Sequence, residues 1–255
     1  MKTHFLLSFL VLILLLSCTD STIPEKPKLE AYHKSWEHYL GDPSSSQFSS
    51  LDQINKSNVS NLKLAWSFRS GGLKEGRTTQ IQANPIILDG ILYGISAASE
   101  LFAVDAATGR EIWRFESPVP DQTGLGISRG VMSWITDGTE ESRIFFSTGP
   151  RLFAIRPSDG TLIQSFGEKG SIDLRENLGR DPERQTVVLT TPGVTYKNLL
   201  ILGLRTSESP GAAPGHIRAF DVLTGEMKWI FHTIPEKGEF GFFVSKHHNL
   251  KSDLA

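Results

Sequence analysis

The chain has 255 residues, enough for one sizeable core or two small ones. Lys plus Arg is 26 against 28 Asp plus Glu, a formal net charge of −2 with no long basic run, which argues against nucleic acid as a main partner. One cysteine excludes an internal disulfide and a thiolate metal cluster. Twenty-three glycines, 15 phenylalanines, five tryptophans and short apolar runs point to an all-β fold rather than a helical bundle.

At the N-terminus, Lys2 and His4 precede an apolar run from Phe5 to Leu16. The run is too short to span a bilayer comfortably and suits a signal-peptide h-region. Leu15-Leu16-Ser17-Cys18 then resembles a bacterial lipobox, in which the cysteine is lipidated and becomes the mature N-terminus. Residues 1–17 read as a lipoprotein signal peptide and 18–35, with Pro24 and Pro27, as a tether. Thr19 follows the cysteine, so the aspartate that often retains such proteins at an inner membrane is absent from that position. The expected location is the cell envelope, on the periplasmic side, held to the membrane by a lipid anchor.

A repeat organises the rest of the chain. Leu101-Phe-Ala-Val-Asp-Ala-Ala-Thr-Gly-Arg-Glu-Ile-Trp-Arg-Phe115 is its clearest copy; Leu152–Phe166 and Ile217–Phe231 are the others. Gly109, Gly160 and Gly225 align, as do Phe115, Phe166 and Phe231; Trp113 and Trp229 align, with Gln164 between them. Each copy reads as strand, turn, strand, with alternating apolar residues facing a core and the Thr-Gly or Asp-Gly pair supplying left-handed backbone. Ile86-Ile-Leu, Asp89-Gly90 and Ile91-Leu-Tyr add a hairpin, so 85–115 holds four short strands, one propeller blade. Residues 131–166 and 187–231 have the same rhythm, and Leu62–Phe68 reads as one more blade strand without companions. The expectation is a β-propeller of four-stranded blades, represented by about three blades plus an N-terminal strand. Because these cannot close a ring, the chain is expected to be incomplete.

The flanking segments narrow the family. Gly41-Asp42, Phe48-Ser-Ser-Leu-Asp-Gln-Ile-Asn55, Leu64-Ala-Trp66, Pro210–Gly225, Phe231-His-Thr-Ile-Pro235 and Gly238-Glu-Phe-Gly241 together resemble the PQQ-dependent (quinoprotein) dehydrogenases. The resemblance is nearest to the membrane-type glucose and alcohol dehydrogenase branch and runs over 36–241; residues 242–255 read as a tail outside the family pattern. It implies an eight-bladed propeller, pyrroloquinoline quinone on the axis beside Ca²⁺ or Mg²⁺, a sugar or alcohol substrate, and electrons leaving to a membrane quinone or a cytochrome.

Carried over residue by residue, the resemblance implies that Arg129, in Ser-Arg-Gly-Val, pairs its planar fork with a cofactor carboxylate. Ser133 departs from a tyrosine common in the family before Trp134, which puts local packing in question, and the paired cysteines of some alcohol-oxidising relatives are absent. Gln82, three residues before Pro85, stands where relatives carry Glu or Gln toward the cofactor. Thr190, beside Thr191 and ahead of Pro192-Gly193, resembles a cofactor-bonding threonine. Ser207-Glu208 falls in a long loop, 204–216; Ser207 is assigned to the cofactor and Glu208 to the cation, for which a carboxylate is the right kind of ligand. No catalytic residue is expected in this chain, since the family's base follows later. A cofactor-free propeller lipoprotein that scaffolds protein assembly in the envelope is the alternative reading, and a product that never folds is a third.

Overall fold

A computed structural model describes residues 35–72, 80–118, 127–136 and 141–242. Cys18, the signal segment and the tail from 243 onward lie outside the described residues. The first sheet contains β1 (Ile86–Leu88), β2 (Ile91–Ile95), β3 (Leu101–Asp105) and β4 (Glu111–Phe115), antiparallel and in that order. The hairpin between β1 and β2 turns on Asp89 and Gly90, both at positive φ (47° and 76°), the backbone a two-residue turn between twisted strands requires.

The second sheet is β5 (Met132–Trp134), β6 (Arg143–Thr148), β7 (Arg151–Ile155) and β8 (Ser171–Asp173), again in chain order. Then follow β9 (Val187–Val188), β10 (Val194–Tyr196), β11 (Leu199–Leu202), β12 (Arg205–Thr206), β13 (Ile217–Asp221) and β14 (Met227–Phe231). Strands β10, β11, β13 and β14 form the third four-stranded sheet, while β9 and β12 pair with each other outside it. The three four-stranded blades expected from the repeat are therefore present.

The strands differ from the expectation in two ways. The middle strands do not alternate between core and solvent: Leu101–Val104 and the whole of β6 are buried. The second blade lies between two others. The first lies between the second blade and the segment that carries Phe68, whose ring is 4.9 Å from Phe102. Both faces of these strands are covered, so the apolar run is continuous. In β6, Ile144 and Phe146 join the cluster shared with the first blade, while Phe145 joins the cluster shared with the third; in β7, Phe153 and Ile155 divide from Leu152 and Ala154 in the same way.

The second repeat copy also lacks a regular second strand. Leu162 makes one bridge to Ile155, the chain then turns at Ile163–Phe166, and β7 finds its outer partner in β8 instead. Gln164 stands where the other copies have Trp, and it is Phe166 that is fully buried, with its ring 5.5 Å from Phe145.

Trp66 explains the segment from Leu62 to Phe68. It runs extended without a strand partner among the described residues and docks through side chains. The Trp66 ring covers Gly109, where an added Cβ would lie 2.5 Å from it, and its Nε1–H donates to the Ala106 carbonyl at 3.1 Å. Trp113 repeats the contact one blade later, covering Gly160 and donating to the Pro157 carbonyl at 2.9 Å. Gly160 has φ +74°, so this glycine answers both to the turn and to the ring above it.

Candidate functional site

The blades meet at the segments that lead into their first strands. The Asn84 N–H donates to the Arg129 carbonyl at 2.8 Å, and the Arg129 N–H donates to the Thr190 carbonyl at 2.8 Å. Asn84 and Gly130 also form a parallel bridge. Three stretches far apart in sequence, 82–84, 128–130 and 190–191, thus lie side by side, one from each blade. Gly130 permits the approach, since a Cβ there would sit 2.9 Å from the Asn84 carbonyl oxygen.

Arg129 is exposed at this junction, and its Nη1 donates to the Thr191 hydroxyl at 3.1 Å. Of the two adjacent threonines, Thr190 holds Arg129 by its backbone and Thr191 by its side chain. Gln82 is exposed two residues from the bridge, and its Nε2 donates to Gln80 Oε1 at 3.2 Å. Arg129, Thr190 and the Gln82 segment are therefore brought together.

Ser207 and Glu208 reach the region differently. β12 pairs Arg205 with Val188 and Thr206 with Val187, so the chain arrives at Ser207 while running away from Thr190. Glu208 is exposed, and the Ser207 hydroxyl accepts from the Ser209 N–H at 3.1 Å. Arg180, which sequence reasoning missed, ties this loop down by donating to the Gly211 and Ala212 carbonyls at 2.6 and 2.8 Å. Among the described residues no group of three side chains is arranged to hold a metal ion. A hard cation takes six or more oxygens, so Glu208 alone does not make such a site.

Beside the Arg129–Thr191 contact is an open cavity of about 190 Å³. Met132 and Ser133 of β5, Thr191 and Gly193 ahead of β10, and His38 and Asp42 of the N-terminal segment line it. The N-terminal segment is fixed there by two hydrogen bonds: Ile87 N–H to the Trp36 carbonyl at 2.8 Å, and the buried Ser133 hydroxyl to the Glu37 carbonyl at 2.6 Å. Ser133, where the sequence departs from the family's tyrosine, is thus a point of attachment for this segment. Buried Asp42 accepts hydrogen bonds from Ser44 and Ser46, which hold its carboxyl far below the usual carboxylate range. Burial pushes the His38 imidazole below its ordinary value, with Glu37 and Asp42 pulling the other way. The Asp-x-Ser-x-Ser spacing was the available signal for this loop.

The family model described as glucose/ethanol/alcohol dehydrogenase, β-propeller domain, for PQQ enzymes, matches residues 36–251, reaching past Gly241. Quinoprotein glucose dehydrogenase of Escherichia coli is 33% identical over 213 residues, covering 77% of this chain and 27% of that protein. Quinate/shikimate dehydrogenase (quinone) of Acinetobacter baylyi is 29% identical over 220 residues, with the same coverage. The chain thus spans about a quarter of the length of these relatives. Among solved structures, a quinohemoprotein alcohol dehydrogenase of Pseudomonas putida HK5 superposes with a TM-score of 0.66 at 24% identity, covering 85% of this chain and 30% of that one, a likeness of fold.

Proposed function

We propose, because this chain belongs to the family of PQQ-dependent glucose, ethanol and alcohol dehydrogenase β-propellers, that it contributes one wall of a pyrroloquinoline quinone site in a dehydrogenase oxidising a sugar or alcohol. The observation that carries this reading is Arg129: a guanidinium at the junction of three blades, whose one side-chain hydrogen bond among the described residues goes to Thr191. The group such a site takes is a flat tricarboxylate, and the donor set fits it. Arg129 offers a planar fork for a carboxylate, Thr190 and Thr191 offer hydroxyls, and Gln82 offers an amide that can donate or accept. When bound, the quinone supplies a hydride acceptor that no side chain provides. This chain's residues bind and orient; none is assigned as the base.

The Ser207–Glu208 loop would add a hydroxyl and one oxygen ligand for Ca²⁺ or Mg²⁺, and electrons would pass to a membrane quinone or a cytochrome. Lipidation at Cys18 would hold the protein at the periplasmic face of a membrane; Cys18→Ala is expected to leave the membrane fraction and to lose acyl label. The dehydrogenase family match supports this reading over the cofactor-free scaffold.

The test of function is titration of the purified protein with pyrroloquinoline quinone, read by cofactor absorbance. Loss of one charge-assisted contact in Arg129→Ala is expected to weaken binding about ten- to a hundredfold. The titration is made on protein that carries the remaining blades, and unchanged affinity in that variant would sink the proposal.

A further inference from the structure

The last ladder pair of β13 and β14 is Ile217 opposite Phe231, which makes His216 and His232 the next pair outward. Their rings meet edge to face at 4.6 Å. His232 Nδ1 lies 2.8 Å from Glu239 Oε1, and its Nε2 lies 3.8 Å from Glu236 Oε1. The other Glu239 oxygen accepts from the Glu236 N–H at 2.6 Å, closing the turn after β14. His216 is 7% exposed, and its Nδ1 is buried with no hydrogen-bond partner among the described residues. His216 also ends the loop that carries Glu208.

We propose that His216, His232 and Glu239 form a pH-sensitive clip that fastens the turn after β14 to the end of the 204–216 loop, closed near neutral pH and loosened on either side. The charges around it give the clip its two directions. His232 faces Glu236 and Glu239 across the turn and His216 across the ladder. His216 faces His232, the same two glutamates, and Arg218 on its own strand; Arg218 is buried and donates to the Leu174 and Glu176 carbonyls.

The hydrogen bond to Glu239, with help from Glu236, raises the His232 imidazole above its ordinary 6.5. That contribution is complete below about 6.5 and is lost as pH rises through the raised value. Burial, then the neighbouring His232 charge, lowers His216 from 6.5. Its contribution is present above about 6.5 and is lost as pH falls, because a proton on His216 would put an imidazolium in a buried place between His232 and Arg218. The closed state therefore needs His232 charged and His216 neutral.

Hydrogen exchange of residues 233–242, normalised to intrinsic rates from about pH 5 to about pH 8, reads the clip directly and needs no cofactor. Protection is expected to peak near neutrality and to fall about threefold on each side. Glu239→Gln should abolish the alkaline fall and keep the acid one; His216→Phe, which retains an edge-on ring, should do the reverse. A flat profile in the parent protein, or both falls surviving in Glu239→Gln, would overturn the proposal. Imidazole NMR titration of the parent protein is the check that needs no variant: His216 titrating above His232 would also overturn it.

Discussion

Trp113 and Trp229 occupy the same place in the repeat and have opposite fates. Trp113, on β4, is 9% exposed, lies over Gly160 of the next blade and donates to the Pro157 carbonyl. Trp229, on β14, is 39% exposed, and Phe231 beside it is 60% exposed where Phe115 is 8% exposed. The strands around both tryptophans are equally regular. A blade's own ladder therefore does not bury its outer face; the turn of a neighbouring blade does. Stability of this architecture resides in the junctions as much as in the sheets, as in other stacked repeats.

The largest expected effect tests that contrast. Trp113→Ala removes a buried ring and its hydrogen bond and should cost about 3–5 kcal/mol. Trp229→Ala should cost less than about 1 kcal/mol. Urea unfolding midpoints of the two variants decide it. Equal losses would mean that the β14 face is covered in solution and that the contrast between the two faces is false.

How far the sequence foretold this can be judged from particular residues. The blades were legible because the turn glycine and the apolar runs recur together. Asp105 accepts from the Ala107 and Thr108 N–H groups, and Asp221 does the same for Leu223 and Thr224, so the turns are written locally. The short motif singled out Arg129, which the fold sets at the meeting of the blades. Two-sided burial of β3 and β6 was not, because alternation signals one covered face, and a strand packed from both sides has two. Nor was the shift of pairing to β8, which occurs in the copy that has Gln164 where the others have Trp. The role of Thr191 depends on a side-chain direction set by the neighbouring blade, and the cavity beside it is built by an N-terminal segment that arrives from outside the repeat.

The junction between the second and third blades supplies the smaller prediction. In the repeat, Ala106, Pro157 and Val222 are equivalent, and each offers its carbonyl to the preceding blade. Trp66 and Trp113 answer the first two. Gln164 cannot play this part for the third, and the space over Gly225 is taken by Ile172 and Phe166 instead. The donor is Arg143 of β6, buried, whose Nη1 reaches the Val222 and Leu223 carbonyls at 3.0 and 2.8 Å. Burial lowers its guanidinium from the ordinary value, with Glu141 and Asp221 opposing. Arg143→Met keeps most of the volume and removes the donors. Its partners are carbonyls, so the loss strands acceptors and not an opposite charge, and the expected cost is about 1–3 kcal/mol, below that of Trp113→Ala. Arg143→Lys restores a charge but not the fork, and should recover less than half of the loss. If Arg143→Met unfolds at the same urea concentration as the parent, the two carbonyls find water, and this junction is held by its apolar cluster alone.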